Sequence, residues 1–394
     1  MHWFEQNVSQ CIAWLIALAW ITRVVGAARG LPTIPNLLLP EHDLAPEGLP
    51  WVTVIVPARN EQGAVEACLR SLLAQDYAQM RIVAVDDRST DATGSMMEAL
   101  AGERLRVIHV AELPEQWLGK THAMAVAAEQ AIAGEAPEFL LFTDADILFR
   151  VDAVRRAVAN AVATGADHLV VAPTTIIRRW DEAAMLSFFQ IFGLWAARPW
   201  KVADATAKRD AIGIGAFNLV RTSAYLKVGG FEALRMEIVE DLGFARRIKQ
   251  AGLAQRFAFG LGLVNVHWAA GAGGIVKVMT KNIFAAVRFH ASILLLGCVW
   301  LGAFCVMPFV LVWRTGFVAP SGIVIVSIAV SYWLLSRRSG LSAWNALLAP
   351  FAAALFMYAL MRSMVTTLWQ GGVVWRGTFY PLAELRRHSA PLMR

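Results

Sequence analysis

The sequence is poor in the features that mark redox proteins, zinc proteins and nucleic-acid-binding proteins. Its 4 cysteines in 394 residues (Cys11, Cys68, Cys298 and Cys305) show neither metal-ligand nor dithiol spacing. The net charge is +6, yet no basic stretch carries the interleaved aromatic side chains that stack on single-stranded nucleic acid. We therefore expect the cysteines to fill apolar space in a reducing compartment, and we expect no nucleic-acid partner.

Two common nucleotide-binding signatures are also missing. The stretch 213–231 begins with Gly213 and Gly215, which resemble a phosphate-binding loop. However, it lacks the GxxxxGK spacing of a P-loop and the third glycine of a dinucleotide fingerprint. We interpret this stretch as a tight loop and a strand that line an acceptor pocket.

The N-terminal apolar run, residues 11–27, has no lysine or arginine before it, whereas a cleaved signal peptide begins with basic residues. Arg23 and Arg29 stand at its end instead, and basic residues favour the cytoplasmic end of a span. The uncharged part is short, because a span needs about 20 residues. We favour a retained transmembrane anchor over 8–28 rather than a cleaved leader.

Hydrophobic residues make up 57% of the sequence, above the roughly 45–50% of soluble proteins, and the excess lies at the start and in the last third. Three apolar segments, 289–313, 316–336 and 342–369, are long enough and poor enough in acids to predict transmembrane helices over 289–369. The preceding segment, 274–290, has an apolar face with its basic residues elsewhere, which predicts an interfacial amphipathic helix.

Much of the positive charge lies beside these segments, which suits an anionic cytoplasmic membrane surface. We expect a multi-pass integral membrane protein with its globular domain in the cytoplasm. The segment SRRSG between the last two spans predicts a cytoplasmic loop, and simple alternation then places the tail 370–394 outside. The tail is itself basic, which favours the opposite side.

Residues 51–268 mix charged and apolar residues as a globular domain does, and a proline-rich linker, 29–50, precedes them. Strand-like runs alternate there with helical patterns, which predicts an α/β domain with a mostly parallel sheet and helices on both faces. Ligands of such sheets bind beyond the carboxyl ends of the strands. The predicted strands are 51–57, 81–85, 105–110 and 139–143.

Two aspartates, Asp144 and Asp146, follow the fourth predicted strand. Alternate residues of an extended chain point the same way, so both carboxylates would reach one side. Mg²⁺ and Mn²⁺ take oxygen ligands, and Mg²⁺ is often held by one or two carboxylates plus substrate phosphates. The pair is therefore either a strand-end turn or a site for a divalent cation and a phosphorylated ligand.

The loop after the first strand is polar. Pro57 ends that strand, and Arg59 and Glu61 follow, where backbone groups could face a nucleotide base. The alternative is an ordinary strand-to-helix loop in which Asn60 is the N-cap of the next helix.

Acidic and basic residues occupy three further element ends. Asp86 and Asp87 follow the second strand. They either form an Asx turn or accept hydrogen bonds from a nucleoside. The next helix is expected to begin after Ser89 or Thr90. Lys120 stands at a predicted helix start, where an ammonium and backbone amides could meet a phosphate.

Glu240 and Asp241 begin another predicted helix. Acids there stabilise the helix dipole by about 0.3–1 kcal/mol, which is a sufficient structural reason for them. The functional alternative is that Asp241 is a general base that deprotonates an acceptor hydroxyl.

In this order the motifs VIVPARNE, VAVDDRSTDAT, WLGKTHA, FTDADI, GAFNLVRTSAYLKVGGFE and EDLGFARRIKQAG resemble those of family 2 glycosyltransferases of the GT-A fold. The resemblance covers residues 51–268 and is strongest to membrane-bound members that glycosylate lipids, such as hopene-associated (hopanoid) glycosyltransferases and ceramide glucosyltransferases. The tail VVWRGTFYPL is also similar to the Trp-Arg…Tyr ending of ceramide glucosyltransferases.

The resemblance implies an inverting transfer of a sugar from a nucleotide-diphosphate sugar, with UDP expected as the nucleotide, to a membrane lipid. It implies Mg²⁺ or Mn²⁺ as cofactor. The implied site residues are Asp241 as catalytic base; Pro57, Arg59, Glu61, Asp86, Asp87, Lys120 and Asp144 for the nucleotide sugar; Asp144 and Asp146 for the metal; and Gly215, Glu240 and Arg288 on the acceptor side.

One departure bears on the alternatives. Processive synthases and ceramide glucosyltransferases carry a (Gln/Arg)-x-x-Arg-Trp motif, whereas residues 285–289, AAVRF, keep Arg288 and replace both ends. This argues against a polysaccharide synthase, the alternative enzyme. The intact aspartate pairs argue against a non-catalytic assembly subunit, and the missing GGxGTR loop argues against a sugar nucleotidyltransferase. Residues 183–200 are either a membrane-facing lipid entrance or a core helix.

Overall fold

The computed structural model describes residues 2–388 and the side chains of residues 7–388. The described chain forms two compact units, a helical unit and a sheet unit. The helical unit comprises 2–33, 177–200 and 268–374, and the sheet unit comprises 34–176, 201–267 and 375–388.

The strands alternate with helices through the central part of the chain, as predicted. The strands are β1 Val52–Ala58, β2 Met80–Asp87, β3 Leu105–Val110, β4 Phe139–Phe142, β5 Leu148–Phe149, β6 His168–Ala172, β7 Thr174–Thr175, β8 Asn218–Arg221, β9 Gln255–Phe259, β10 Val264–Val266, β11 Gly372–Trp375 and β12 Thr378–Pro381.

The helices are α1 His2–Gly30, α2 Val65–Leu73, α3 Thr93–Glu98, α4 Gly119–Ala133, α5 Ala153–Ala163, α6 Trp180–Ala196, α7 Thr222–Lys227, α8 Glu240–Gln250, α9 Gly271–Ala286, α10 Ala291–Leu301, α11 Met307–Leu311, α12 Val318–Ser339, α13 Ala349–Gln370 and α14 Leu382–His388. A π-helical turn, Gly302–Val306, continues α10, and a 3₁₀ helix, Ala343–Leu348, precedes α13.

The sheet unit is built on a seven-stranded sheet of order β3-β2-β1-β4-β8-β6-β9. Strand β8 is antiparallel to β4 and β6, and the other neighbouring pairs are parallel. The predicted mostly parallel sheet is therefore confirmed. A small sheet of order β5-β10-β7 lies in the same unit.

Strand β1 is buried along its whole length, because helices cover both faces of the sheet. Successive side chains of a strand point to opposite faces, and the two hydrophobic cores follow this alternation. Val54 and Val56 belong to a core with Leu69 of α2, whereas Ile55 belongs to a second core with Ala127 of α4.

Two local predictions of helix starts are wrong. Helix α2 begins at Val65 after Ala64, so Asn60 is not its N-cap. Asn60 instead adopts a positive φ of 55°, and its side-chain carbonyl oxygen accepts a hydrogen bond from the backbone N–H of Thr90. Helix α3 begins only at Thr93, because the residues after β2 form a loop that hydrogen-bonds to the Asn60 loop.

The helical unit contains the predicted apolar helices at the N-terminus and in the C-terminal third. Four segments are long and apolar enough to cross a bilayer: Asn7–Thr33, Ala291–Leu311, Val318–Ser339 and Ala343–Gln370. Many of their large side chains face outward, including Leu296 and Val299 of α10, as expected for helices that meet lipid.

Helices α6 and α9 also belong to the helical unit. The buried side chain of Glu182 joins their N-terminal ends by accepting hydrogen bonds from the backbone N–H groups of Arg178 and Gly271, both at 2.8 Å. Most of α6 is buried, as in a core helix, while Phe189 is 40% exposed and contacts the rings of Trp268 and Phe356.

Candidate active site

The carboxyl ends of β2, β1 and β4 lie side by side in the sheet. Ala58 of β1 aligns with Asp86 of β2, and Ile55 aligns with Phe142, the last residue of β4. The predicted donor-site residues therefore gather at one edge because they follow neighbouring parallel strands. Pro57 is an exception, because it lies buried inside β1, opposite Val85.

Hydrogen bonds join the loop after β1 to the loop after β2. The backbone N–H of Asn60 donates to the Ser89 hydroxyl at 3.0 Å, and the N–H of Glu61 donates to the Thr93 hydroxyl at 2.8 Å. These bonds satisfy backbone groups that no strand partner reaches. The two loops consequently form one surface.

Arg59 and Glu61 differ in their partners. The Nε atom of Arg59 is buried and has no hydrogen-bond partner among the described residues. The carboxylate of Glu61 pairs with the guanidinium of Arg376, a residue of the C-terminal tail. Arg376 is not among the predicted site residues, although the tail motif WRG is visible in the sequence.

Asp86 and Asp87 are both buried, and both carboxylates have hydrogen-bond partners. Asp86 Oδ1 accepts from the backbone N–H of Ser89 at 3.1 Å, which is the structural role that the turn alternative predicted. Its Oδ2 lies 3.1 Å from Nδ1 of His109 in β3. Asp87 pairs with Arg88 in a two-point contact of 2.8 and 3.0 Å.

His109 is a second residue that sequence analysis missed. Its Nε2 lies 2.7 Å from Glu98 Oε1, and hydrogen bonds to Glu98 and Asp86 raise the pKa of His109. The signal was a polar residue one position before the end of a strand that neighbours β2. That position aligns with Asp86 in the parallel register.

Lys120, the second residue of α4, links the segment that follows β4 to the start of α8. Its Nζ lies 2.5 Å from Asp144 Oδ1 and 2.6 Å from Glu240 Oε1. Burial would lower the pKa of Lys120, but attraction by Asp144 and Glu240 outweighs it and raises that pKa. Lys120, which was predicted to bind a phosphate, therefore forms ion pairs with two carboxylates in this structure.

Asp241 is held by backbone groups rather than by a cation. Its Oδ2 accepts from the N–H of Gly215 at 2.9 Å, and its Oδ1 accepts from the N–H of Leu242 at 2.7 Å. Burial and the neighbouring Glu240 carboxylate raise the pKa of Asp241 to about 7. The arrangement therefore provides a carboxylate poised to take a proton near neutral pH.

The loop 213–217 needs its glycines because it passes very close to these carboxylates. A Cβ atom on Gly213 would overlap the backbone of Asp241, and one on Gly215 would lie 2.6 Å from Asp144 Oδ2. Glycine therefore permits the close approach. This requirement explains the glycine pair that resembled a phosphate loop.

A small pocket lies at this junction. Its lining combines aromatic and apolar side chains with charged ones. Its lining comprises Lys120, Met124, Phe142, Thr143, Asp144, Gly215, Asn218, Phe231, Glu240, Asp241 and Phe244. The predicted residues Lys120, Asp144, Gly215, Glu240 and Asp241 are thus brought together.

The reason given for the orientation of Asp144 and Asp146 is wrong. Strand β4 ends at Phe142, and Ala145 and Asp146 lie in a turn, so strand alternation does not apply to the pair. Asp146 nevertheless lies among carboxylates: burial, Asp144 and Glu61 together raise the pKa of Asp146 to about 6.

The donor set around Asp146 fits a divalent cation that is shared with a phosphorylated ligand. The groups are carboxylate oxygens, which Mg²⁺ and Mn²⁺ prefer, and the negative charge at Asp146 is incompletely compensated. Within residues 2–388, no group of three or more His, Cys, Asp or Glu side chains could hold a metal ion unaided. Ligand oxygens would have to complete the coordination.

Arg288 belongs to the helical unit. It is buried and follows α9 with a positive φ of 53°, as does Phe289 with 59°. These two residues end the helix predicted over 274–290, and α9 itself spans Gly271–Ala286.

Known proteins resemble this chain in sequence. Residues 53–242 match the sequence model of the family Glycosyl transferase family 2. A 4,4'-diaponeurosporenoate glycosyltransferase of Staphylococcus aureus (strain bovine RF122 / ET3-1) is 24% identical over 397 residues, which cover 93% of this chain and 100% of the relative. The protein of the same name from strain MRSA252 is 25% identical over 357 residues, covering 84% and 89%.

Solved structures resemble it more distantly. A mannosyltransferase from Pyrobaculum calidifontis, in complex with GDP-Man and Mn²⁺, covers 92% of this chain and 99% of its own, with 18% identity and a TM-score of 0.48. Staphylococcus aureus TarS in complex with UDP covers 84% and 95%, with 18% identity and a TM-score of 0.41.

Proposed function

We propose that this glycosyltransferase, whose residues 53–242 form a family 2 domain of the GT-A fold, moves a sugar from a nucleotide-diphosphate sugar to a membrane lipid with inversion at the anomeric carbon. The observation that carries the proposal is the environment of Asp241. Two backbone N–H groups orient this carboxylate, and its pKa of about 7 suits a base at physiological pH.

The proposed reaction is a single displacement. The acceptor oxygen attacks the anomeric carbon, and the bond between that carbon and the diphosphate oxygen breaks. The proton of the acceptor hydroxyl passes to the carboxylate of Asp241, and the nucleoside diphosphate leaves with the bonding electron pair. Asp144 and Lys120, which meet beside Asp241, line the side on which the diphosphate leaves.

The donor is proposed to lie along the edge formed by β2, β1 and β4, where ligands of such sheets bind. The buried Nε of Arg59, which has no partner among the described side chains, is available to a base or phosphate oxygen. Asp86 and Asp87 offer acceptor oxygens for ribose or an imide N–H. UDP is the expected nucleotide.

A divalent cation, Mg²⁺ or Mn²⁺, would be held by Asp144 and Asp146. When bound, it supplies positive charge that stabilises the leaving diphosphate. The protein contributes the carboxylates and, through the pairing of Lys120 with Asp144 and Glu240, the second positive charge of the site.

The acceptor is proposed to be a lipid reached from the cytoplasmic face of the bacterial inner membrane. Four helices able to span a bilayer and a relative named for diaponeurosporenoate, a lipid-like carotenoid, support this. That name denotes a carboxylate, and a carboxylate acceptor has no proton to give up. Dependence on Asp241 therefore distinguishes hydroxyl from carboxylate acceptors.

The test uses full-length protein in nanodiscs of bacterial lipid, a panel of UDP- and GDP-sugars, and Mg²⁺ or Mn²⁺. We expect the release of a nucleoside diphosphate to depend on the lipid and the metal, and the glycolipid to carry the anomeric configuration opposite to that of the donor by NMR. Retention of configuration would contradict the single displacement. No release with any donor would contradict the proposed transfer altogether.

A further inference from the structure

Arg376 is far from the donor-site residues in sequence, but it contacts one of them within the sheet unit. It is 315 positions from Glu61, and its guanidinium nevertheless pairs with the Glu61 carboxylate. The backbone of Glu61 is tied by its N–H to Thr93, and the Glu61 carboxylate lies near Asp146. The pair therefore places a guanidinium among the carboxylates of the donor edge.

The backbone at Arg376 is unusual for a residue with a long side chain. Arg376 and Gly377 lie between β11 and β12 with φ of 50° and 80°. Positive φ at both central residues is the condition of a two-residue type I′ turn, where Asn or Gly is preferred at the first position. For a long side chain such as arginine this backbone conformation costs about 1–2 kcal/mol, and strained residues of this kind cluster at functional sites.

The tail that carries this turn is anchored. Tyr380 of β12 and Leu385 of α14 are 6% and 0% exposed. The Arg376–Glu61 pair, in contrast, is partly open to solvent, with 45% and 23% of the two side chains exposed. A partly exposed ion pair contributes about 0–1 kcal/mol, so a ligand can exchange it at little cost.

Two other cations of this edge, Lys120 and Arg88, are held by stronger contacts. Lys120 bridges Asp144 and Glu240, and Arg88 makes a two-point contact with the buried Asp87. Arginine is also the side chain whose planar donor fork matches two oxygens of a phosphate. Arg376 therefore has N–H groups arranged to bind a phosphate, and its ion pair with Glu61 is weak enough to be exchanged.

We infer that Arg376 binds the diphosphate of the nucleotide-sugar donor and exchanges Glu61 for phosphate oxygens when the donor enters. This inference rests on the proposed function, because it presupposes a nucleoside-diphosphate donor. It gives the C-terminal tail a direct part in donor recognition. This inference replaces the direct contact of Glu61 with the nucleotide sugar that the family resemblance implied: Glu61 holds the guanidinium in place while the donor is absent and does not itself touch the donor.

The test compares diphosphate with monophosphate binding. Dissociation constants for UDP, UMP, GDP and GMP are measured by calorimetry on the full-length protein in nanodiscs. The nucleoside that wild type binds more tightly is then used for every variant. We expect Arg376→Ala to lower the preference for diphosphate over monophosphate by about tenfold, as loss of a charged hydrogen bond does. Arg376→Lys should lose less, because it keeps the charge without the fork.

Two controls separate this role from simple tethering of the tail. Arg387→Ala removes the same charge from an exposed position of the same tail and should leave the preference unchanged. Glu61→Gln breaks the same ion pair but keeps Arg376, and should keep or increase the preference. If Arg376→Ala does not fold, as judged by thermal unfolding, Arg376→Lys carries the test.

The outcomes are distinct. An unchanged preference in Arg376→Ala, or in Arg376→Lys where the alanine variant does not fold, would overturn the inference alone. An equal loss in Arg376→Ala and Glu61→Gln would show that the pair only fastens the tail, which also overturns it. Failure of wild type to bind UDP or GDP would remove the proposed function, and the inference with it.

Discussion

The sheet edge carries two pairs of adjacent acidic residues, Asp86–Asp87 and Glu240–Asp241, which look alike in sequence and differ in structure. In the first pair both carboxylates have side-chain partners, His109 and Arg88. In the second pair Glu240 binds Lys120. Asp241 accepts hydrogen bonds from the backbone N–H groups of Gly215 and Leu242.

The difference shows how an identical residue type acquires a different role. Asp86 and Asp87 are each paired with a basic side chain and serve as fixed acceptors. Asp241 is half-buried beside Glu240, and its partial burial and the Glu240 carboxylate raise its pKa to about 7. The comparison predicts binding functions for the first pair and proton transfer for Asp241.

The largest effect is expected from Asp241→Asn. The amide keeps the size of the side chain but cannot take a proton, so kcat should fall by about 10²–10⁴-fold, the usual contribution of a general base. Turnover of the nucleotide sugar in nanodiscs measures this. The control is Glu103→Gln, at an exposed position, which should keep wild-type turnover; near-normal transfer by Asp241→Asn would contradict the role of base.

Replacement of Lys120 by methionine should have the next largest effect. It leaves Asp144 and Glu240 without their cation, and a lost charged hydrogen bond costs about 1.5–3 kcal/mol. We expect a lower melting temperature and weaker nucleotide-sugar binding, measured by thermal unfolding and by KM for the donor. Lys227→Met, at an exposed lysine of α7, should leave both quantities unchanged; equal effects of the two variants would contradict the bridging role.

The pH dependence tests the raised pKa of Asp241 directly. The active form is the carboxylate, which is protonated as the pH falls below the pKa of about 7. We therefore expect kcat to be constant above this value and to fall by about tenfold per pH unit below it. Initial rates measured from about pH 5.5 to about pH 8.5 give this profile. A kcat that stays constant down to about pH 5.5, as expected for an aspartate of ordinary pKa, would contradict the assigned environment.

The smallest effect is expected from Gly215→Ala. The new Cβ would lie 2.6 Å from Asp144 Oδ2 and 3.4 Å from Lys120 Nζ, so the loop or Asp144 must shift. Because catalysis is sensitive to small displacements, we expect kcat to fall by about tenfold while the protein stays folded. Gly102→Ala, which meets no atom within 4 Å, is the matched control; unchanged kcat in Gly215→Ala would show that the close approach is not needed.

Local patterns in the sequence were sufficient for the α/β class and for the edge at which the site lies. The continuous apolar run of β1 and the helical stripe of α2 need only their own residues to be recognised, and in a parallel sheet the polar residues after the strands must share one edge. The length and hydropathy of α12 and α13 likewise identify apolar helices without reference to any other part of the chain.

Tertiary structure decided which of these polar residues act on one another. Asp241 has an ordinary helix-start sequence, and its pKa rises because the fold shields it from solvent beside Glu240. Asn60 looked like an N-cap but hydrogen-bonds to the loop after β2. The pairing of Arg376 with Glu61 joins residues from opposite ends of the chain. Burial and charge act through space, so no local pattern contains them.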